Sequence, residues 1–367
     1  MNCQKHLSLL LSALGAAWVA SSGFAQTPPA EKPYKIVATN QLMGTGVIDY
    51  VSADNEGRRL YVPRGPLIHV FDLDTLKPVG NVTNSGGHGV AVDPKTHHGF
   101  SSSSPVSMFD TTTLELIKHI TVQGRPDGIL FEPFTERVYV LSHSAPNVTV
   151  IDPKDGSIVG TIDLGGGPEQ GASDEHGHVY IDVEDQDNIA VVDAKTLQVT
   201  AHYPLQGKGG GPGGLGLDAK NHILFAMCHD PATCVILSAD DGKILDTLPI
   251  HAGTDGGGFN PNTMEAFSSQ GDGTLSIIKE ISPTSFVAEP VVQTQRGGKT
   301  CTVDTKNNRV IVIATERAAA SPPAANAAPP EAAAATPPAG GPPGGGRRGG
   351  RGGGGGPGFL DIIAVGR

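Results

Sequence analysis

Five residues before each of the markers Asp54, Asp93, Glu132, Asp174, Asp218, Asn260 and Asp304 stand Asp49, His88, Asp127, Glu169, Gly213, Asp255 and Lys299. Six of these seven positions ionise, in segments otherwise made of glycine and small apolar residues. Carboxylate, imidazole and ammonium groups repeated in one register can bind a polar ligand, hold an ion or move protons. Turn capping accounts for some of the acids, as for Asp127 in Arg125-Pro126-Asp127-Gly128. It does not account for His88 or Lys299.

Arg64, His143, Glu184 and His229 follow apolar runs and are expected on the same face, so that the set forms a polar funnel for a small-molecule or protein ligand. Two more specific chemistries use the same residues. His88, His143 and His229 with Glu169 could hold zinc or another divalent ion, because imidazole and carboxylate are its ligands. No cofactor is firmly implied, and HExxH spacing is absent. A lactonase-type hydrolase would use His88 or Glu169 as general base and Lys299 or Arg64 to stabilise an oxyanion. No GxSxG elbow offers a serine nucleophile. The glycine run at 207–216 lacks the GK[ST] of a phosphate loop. The acidic loop at 184–188 lacks the glycine and closing glutamate of an EF-hand.

The elements that must position these groups are strands. The markers are spaced 39, 39, 42, 44, 42 and 44 residues apart, and a second series runs Asp72, Asp110, Asp152 and Asp193 before fading at Ser238 and Lys279. In the clearest unit GRPDGILFEP, RVYVLS, NVTVID and GSIVGTIDL read as four strands, with β-branched residues alternating between Asp and Gly turns. Seven such units predict an all-β, seven-bladed β-propeller with four-stranded blades. YKIVATNQL at Tyr34–Leu42 matches the fourth-strand copies, whereas the last unit (KTCTVD, RVIVIAT, FLDIIAV) lacks a fourth strand. The N-terminal strand is therefore expected to close the last blade and remove an open edge. Composition agrees: 50 Gly and 29 Pro among 367 residues disfavour helical folds.

RVYVLS…NVTVIDPKDGSIVGTI, HVYIDVEDQDNIAVVDAKTLQV and RLYVPRGPLIHVFDLDTL resemble the YVTN β-propeller repeat of YncE-like exported proteins, over about residues 34–367. The resemblance implies a binding or scaffold protein first. Related propellers also include lactonases, redox-enzyme domains and a type resembling a single-stranded DNA binder.

Residues 1–25 read as a secretory signal, with Lys5, an apolar core at Leu7–Ala20 and Gly23-Phe24-Ala25 as cleavage site. A short linker, 26–33, would follow. The expected location is periplasmic or secreted, with no membrane span and a monomeric chain. In an oxidising compartment Cys228 and Cys234 could pair, while Cys301 reads as a buried thiol. Residues 317–358 contain 12 Ala, 13 Gly and 9 Pro among 42 and are expected to be a disordered insert within the last blade. The formal charge of −11, the single Trp and the few aromatics argue against a nucleic-acid partner, although the insert carries RRGGR at 347–351.

Overall fold

Each marker acid or amide ends a strand because its side chain caps the turn that follows. In a computed structural model describing residues 32–317 and 357–367, six markers are the last residue of a first strand and Asp174 lies one residue beyond. The Phe134 and Thr135 N–H groups donate to Glu132 at 2.7 and 2.8 Å, and Gly57 N–H to Asp54 at 2.8 Å. The third-strand series does the same work: Thr75, Thr113 and Thr196 donate N–H to Asp72, Asp110 and Asp193 at 2.7–2.8 Å. Residues four after a marker, such as Arg58, Glu136 and Asn308, turn the chain with positive φ. Lys279, where that series faded, lies inside its strand instead.

The strands form seven antiparallel sheets, and the chain from Pro33 to Arg367 is one compact unit. The molecule is a seven-bladed β-propeller. We number the blades 1–7 by their innermost strands, Ser52–Asp54, Val90–Asp93, Pro126–Glu132, Pro168–Ser173, Pro212–Asp218, Thr254–Asn260 and Gly298–Asp304. Blade 6 carries an extra short strand, Val292–Gln293, beside its third strand Thr274–Ser282. Second and third strands are apolar on both faces because each face packs against a neighbouring blade. Tyr139, Leu141, Val179 and Ile181, for instance, share one cluster between blades 3 and 4. Fourth strands such as Ile158–Ile162 are largely exposed.

As expected, the N-terminal strand Lys35–Gly44 closes blade 7, pairing antiparallel with Gly358–Gly366 from Lys35↔Gly366 to Gly44↔Gly358. Arg64 was expected in the funnel, but its guanidinium serves this closure. It donates to the carbonyls of Leu42, Gly44, Gly46 and Gly358 at 3.1–3.3 Å and is only 2% exposed. The glycines leave their carbonyls uncovered, and Arg64 satisfies them.

The expected Cys228–Cys234 disulfide does not form; both thiols are free and buried, as is Cys301. Cys234 lies opposite Met227 in the ladder, so Cys228, one residue on, points to the other face of the sheet. Cys228 packs with Tyr203 and Leu215, and Cys234 with Phe225 and Phe286. The signal and most of the linker (1–31) and the insert (318–356) lie outside the described residues. The second and third strands of blade 7 remain paired as far as Arg317↔Gly358, where the insert leaves and returns. Among the described residues no helix is long and apolar enough to cross a membrane.

Candidate functional site

The segments leading into the innermost strands converge at one end of the propeller axis and bring six of the register residues into contact. Lys299 Nζ lies 2.8 Å from Asp255 Oδ2 and 3.3 Å from Asp49 Oδ1. His88 Nδ1 lies 2.7 Å from Asp49 Oδ2 and 3.0 Å from Asp127 Oδ1. His143 Nε2 lies 2.5 Å from Asp127 Oδ2 and 3.4 Å from Glu169 Oε1. An unbroken chain of groups thus runs Asp255–Lys299–Asp49–His88–Asp127–His143–Glu169, through blades 6, 7, 1, 2, 3 and 4. Beside it a cavity of about 680 Å³ opens between Asp49, His88, Ser102, Asp127 and His143.

Blade 5 interrupts the arc with Gly213, and a Cβ there would fall 2.7 Å from His229 Nε2. The imidazole from the end of the second strand takes the space a register side chain would need. His229 pairs only distantly with Glu184, at 4.0 Å. Hence the four expected metal ligands do not converge. Among the described residues, the groups whose ligand atoms lie within 4.8 Å of one another are Asp49–His88–Asp127 and Asp127–His143–Glu169, which exclude His229 and include two aspartates outside the expected set.

Alternation of acid and base sets the electrostatics. The Asp49 hydrogen bond raises the pKa of His88 against the effect of burial, and the Asp127 hydrogen bond does the same for His143. Burial opposes ionisation of Asp49, but His88 and Lys299 outweigh it and hold that carboxyl below its usual range. Lys299 is likewise desolvated, yet Asp255 and Asp49 raise its pKa. Glu169, at the end of the arc, is pushed up to about 8 by burial and by the Asp127 charge. Acids and bases alternate along the arc, and the raised Glu169 carboxyl brings its opposite charges close to balance.

Two residues that line the arc from below escape the register reading because they lie one position further on. That position reads Tyr50, Gly89, Gly128, Gln170, Gly214, Gly256 and Thr300. Tyr50, from blade 1, donates its hydroxyl to the Glu169 carbonyl at 3.1 Å and to Glu169 Oε2 at 3.2 Å, reaching blade 4 across the axis. Gln170 donates to Gly257 O at 2.9 Å and accepts from the N–H groups of Gly257 and Leu215 at 2.9 and 3.2 Å. The glycines make room: a Cβ on Gly128 would fall 2.4 Å from the Glu169 carbonyl oxygen. Tyr50 and Gln170 thus floor the funnel. Two bulky residues among glycines at this position were the signal that could have found them. On the adjacent strand of blade 4 Asp182, fully buried, accepts from the Gln170 N–H, and burial raises its pKa well above the usual carboxylate range.

No protein-family model and no curated protein matches this sequence. Solved structures do. The chain superposes on a crystal structure of RRP9 WD40 repeats with a TM-score of 0.63 at 10% identity, covering 75% of this chain and 89% of that one. A structure of U3-55K gives 0.64 at 10% identity, covering 76% and 92%. At that identity the likeness is one of fold: this chain is similar to WD40 propellers in architecture.

Proposed function

We propose that this chain is an exported, monomeric binding propeller of the YVTN type that holds a small polar ligand in its blind central funnel. The observation that carries the reading is the contiguous chain of seven ionisable groups from six blades above the Tyr50–Gln170 floor. A structural role needs only local turn caps, which the marker residues already supply. Paired acids and imidazoles recessed at an axis offer directional contacts to one ligand from several blades at once. The repeat wording of the strands supports the YVTN assignment, and the Lys5-to-Ala25 segment supports export. The test is a ligand screen by thermal shift on the full chain. His88→Ala and Asp127→Asn should each abolish a hit while leaving the unliganded melting temperature within a few degrees. Equal binding by both variants would remove the funnel from the reading.

A hydrolase is the second reading, favoured by one observation: His88 and His143 each have a carboxylate oxygen within 2.7 Å of a ring nitrogen. A carboxylate that fixes an imidazole's tautomer and orientation prepares it to take a proton from water. Turnover of chromogenic lactones or esters, abolished by His88→Ala or His143→Ala, is the outcome this reading requires.

A further inference from the structure

We propose that the funnel binds a pair of first-row divalent metal ions bridged by the Asp127 carboxylate. The inference deepens the reading of the ring as a ligand site and rests on it. Asp127 turns one oxygen to each side: Oδ1 lies 3.0 Å from His88 Nδ1 and Oδ2 lies 2.5 Å from His143 Nε2. Beyond each imidazole stands a second carboxylate, Asp49 at 2.7 Å on one side and Glu169 at 3.4 Å on the other. The arrangement is nearly symmetric about Asp127.

In both halves a single ring nitrogen faces two carboxylate oxygens. One N–H points along one direction and satisfies one acceptor well. Asp127 Oδ1 is accordingly buried without a hydrogen bond, on a residue only 8% exposed. A cation seated over the three donor atoms satisfies all of them together. Metal–ligand bonds of about 2.0–2.1 Å place tetrahedral donors ~3.3 Å apart. Present nitrogen–oxygen separations of 2.5–3.4 Å need to open by ~0.8 Å at most, within the reach of side-chain rotation, and all donor atoms of each group already lie within 4.8 Å of one another. Three protein donors per ion leave a coordination position for water or ligand. An imidazole donor beside carboxylate suits zinc and its first-row neighbours better than calcium or magnesium, which take oxygen ligands.

The outer carboxylates are also held from behind. Tyr50 donates to Glu169 Oε2 at 3.2 Å, leaving Oε1 turned towards His143. Lys299 lies 3.3 Å from Asp49 Oδ1, leaving Oδ2 turned towards His88. Such fixed partners orient first-sphere ligands and tune their affinity. They also break the symmetry. The Lys299 charge opposes a cation beside Asp49, so the Asp127–His143–Glu169 half binds its ion more tightly.

The full chain, stripped with chelator, would be titrated with Co²⁺ while following its visible spectrum. Bound Zn²⁺ would be counted by elemental analysis after gel filtration. Two ions per chain are expected. His88→Ala should remove the weaker ion, His143→Ala the tighter one, and Asp127→Asn should remove both; His229→Ala should leave the count at two. Tyr50→Phe, a positioning change, should weaken the tighter ion by about 10- to 100-fold. Thermal unfolding checks that each variant folds; if Asp127→Asn does not, the two histidine variants decide. A wild-type count of zero or one, a count unaffected by Asp127→Asn, or an ion lost through His229→Ala would overturn the proposal. The ligand screen repeated on stripped protein separates the two ideas. Funnel binders without stoichiometric metal leave the binding reading standing and sink the metal pair. Two ions without any funnel ligand do the reverse.

Discussion

Asp304, fully enclosed, accepts hydrogen bonds from Arg58 at 2.8 Å and from Asn307 and Arg309 at 2.8 and 2.9 Å. Burial alone would raise its pKa, but these partners hold it below the usual carboxylate range. The unfolded chain therefore binds the proton more readily, so the stabilisation is complete above about pH 4 and is lost as pH falls through the folded value. Asp304→Asn should cost about 3 kcal/mol at neutral pH, read by denaturant unfolding, with the difference shrinking in acid. Glu280 has the opposite sign. Burial pushes its carboxyl up to about 7, helped by the neighbouring Asp218 carboxyl, while Asn221 donates to Oε1. Its neutral form is the one the fold tolerates, so stability declines as pH rises from about 4 towards 7. Glu280→Gln should raise the melting temperature at pH 8 and leave it nearly unchanged at pH 4. The register residues were legible in sequence because one backbone position recurs. Arg64 and the cysteines were not. Arg64 has the chemistry of a funnel residue but faces carbonyls bared by glycine, and Cys228 and Cys234 sit close in sequence on opposite faces of one sheet.

Within each blade, the turn caps explain why the repeat could be read at all. A side-chain oxygen that accepts backbone N–H groups is needed wherever the first strand turns, so its period survives while the apolar residues between vary. Contacts made across blades have no such period. The Tyr50–Glu169 hydrogen bond joins residues 119 apart, and nothing local announces it. Gly128→Ala tests this level. A Cβ 2.4 Å from the Glu169 carbonyl must push the blade 3 and blade 4 lead-in segments apart. Expected is a loss of about 1–3 kcal/mol of stability, together with weaker funnel binding measured by calorimetry. Arg64→Met should be worse for closure, because four carbonyls lose their donor; faster amide exchange along Lys35–Gly44 would report it.

At the scale of the molecule, closure of blade 7 by Lys35–Gly44 covers the outer edge of its third strand, and Tyr34 with Arg367 secures it. The Arg367 guanidinium stacks 4.3 Å over the Tyr34 ring and pairs with Glu289 at 2.9 Å. Removing residues up to Gly44 should uncover Gly358–Gly366 as a free edge, seen as oligomers or aggregation in size-exclusion chromatography. A truncated chain that stays monomeric and melts at the parent temperature would contradict that expectation. Ring closure was legible from an orphan fourth-strand sequence at one terminus and a missing one at the other. The funnel floor was not, since it arises only when seven blades share an axis.

The same closure has a temporal side. Lys35 and Gly366, paired in one ladder, are among the first and last residues of the propeller to be synthesised. Loops this long close slowly, and contacts so far apart in sequence delay folding. The Lys299–Asp49 contact spans the junction between blades 7 and 1. That contact joins Asp255 and Lys299 to the Asp49–Glu169 arc only after blade 7 has been synthesised, so the arc begins from blades 1–4 and gains its lysine last.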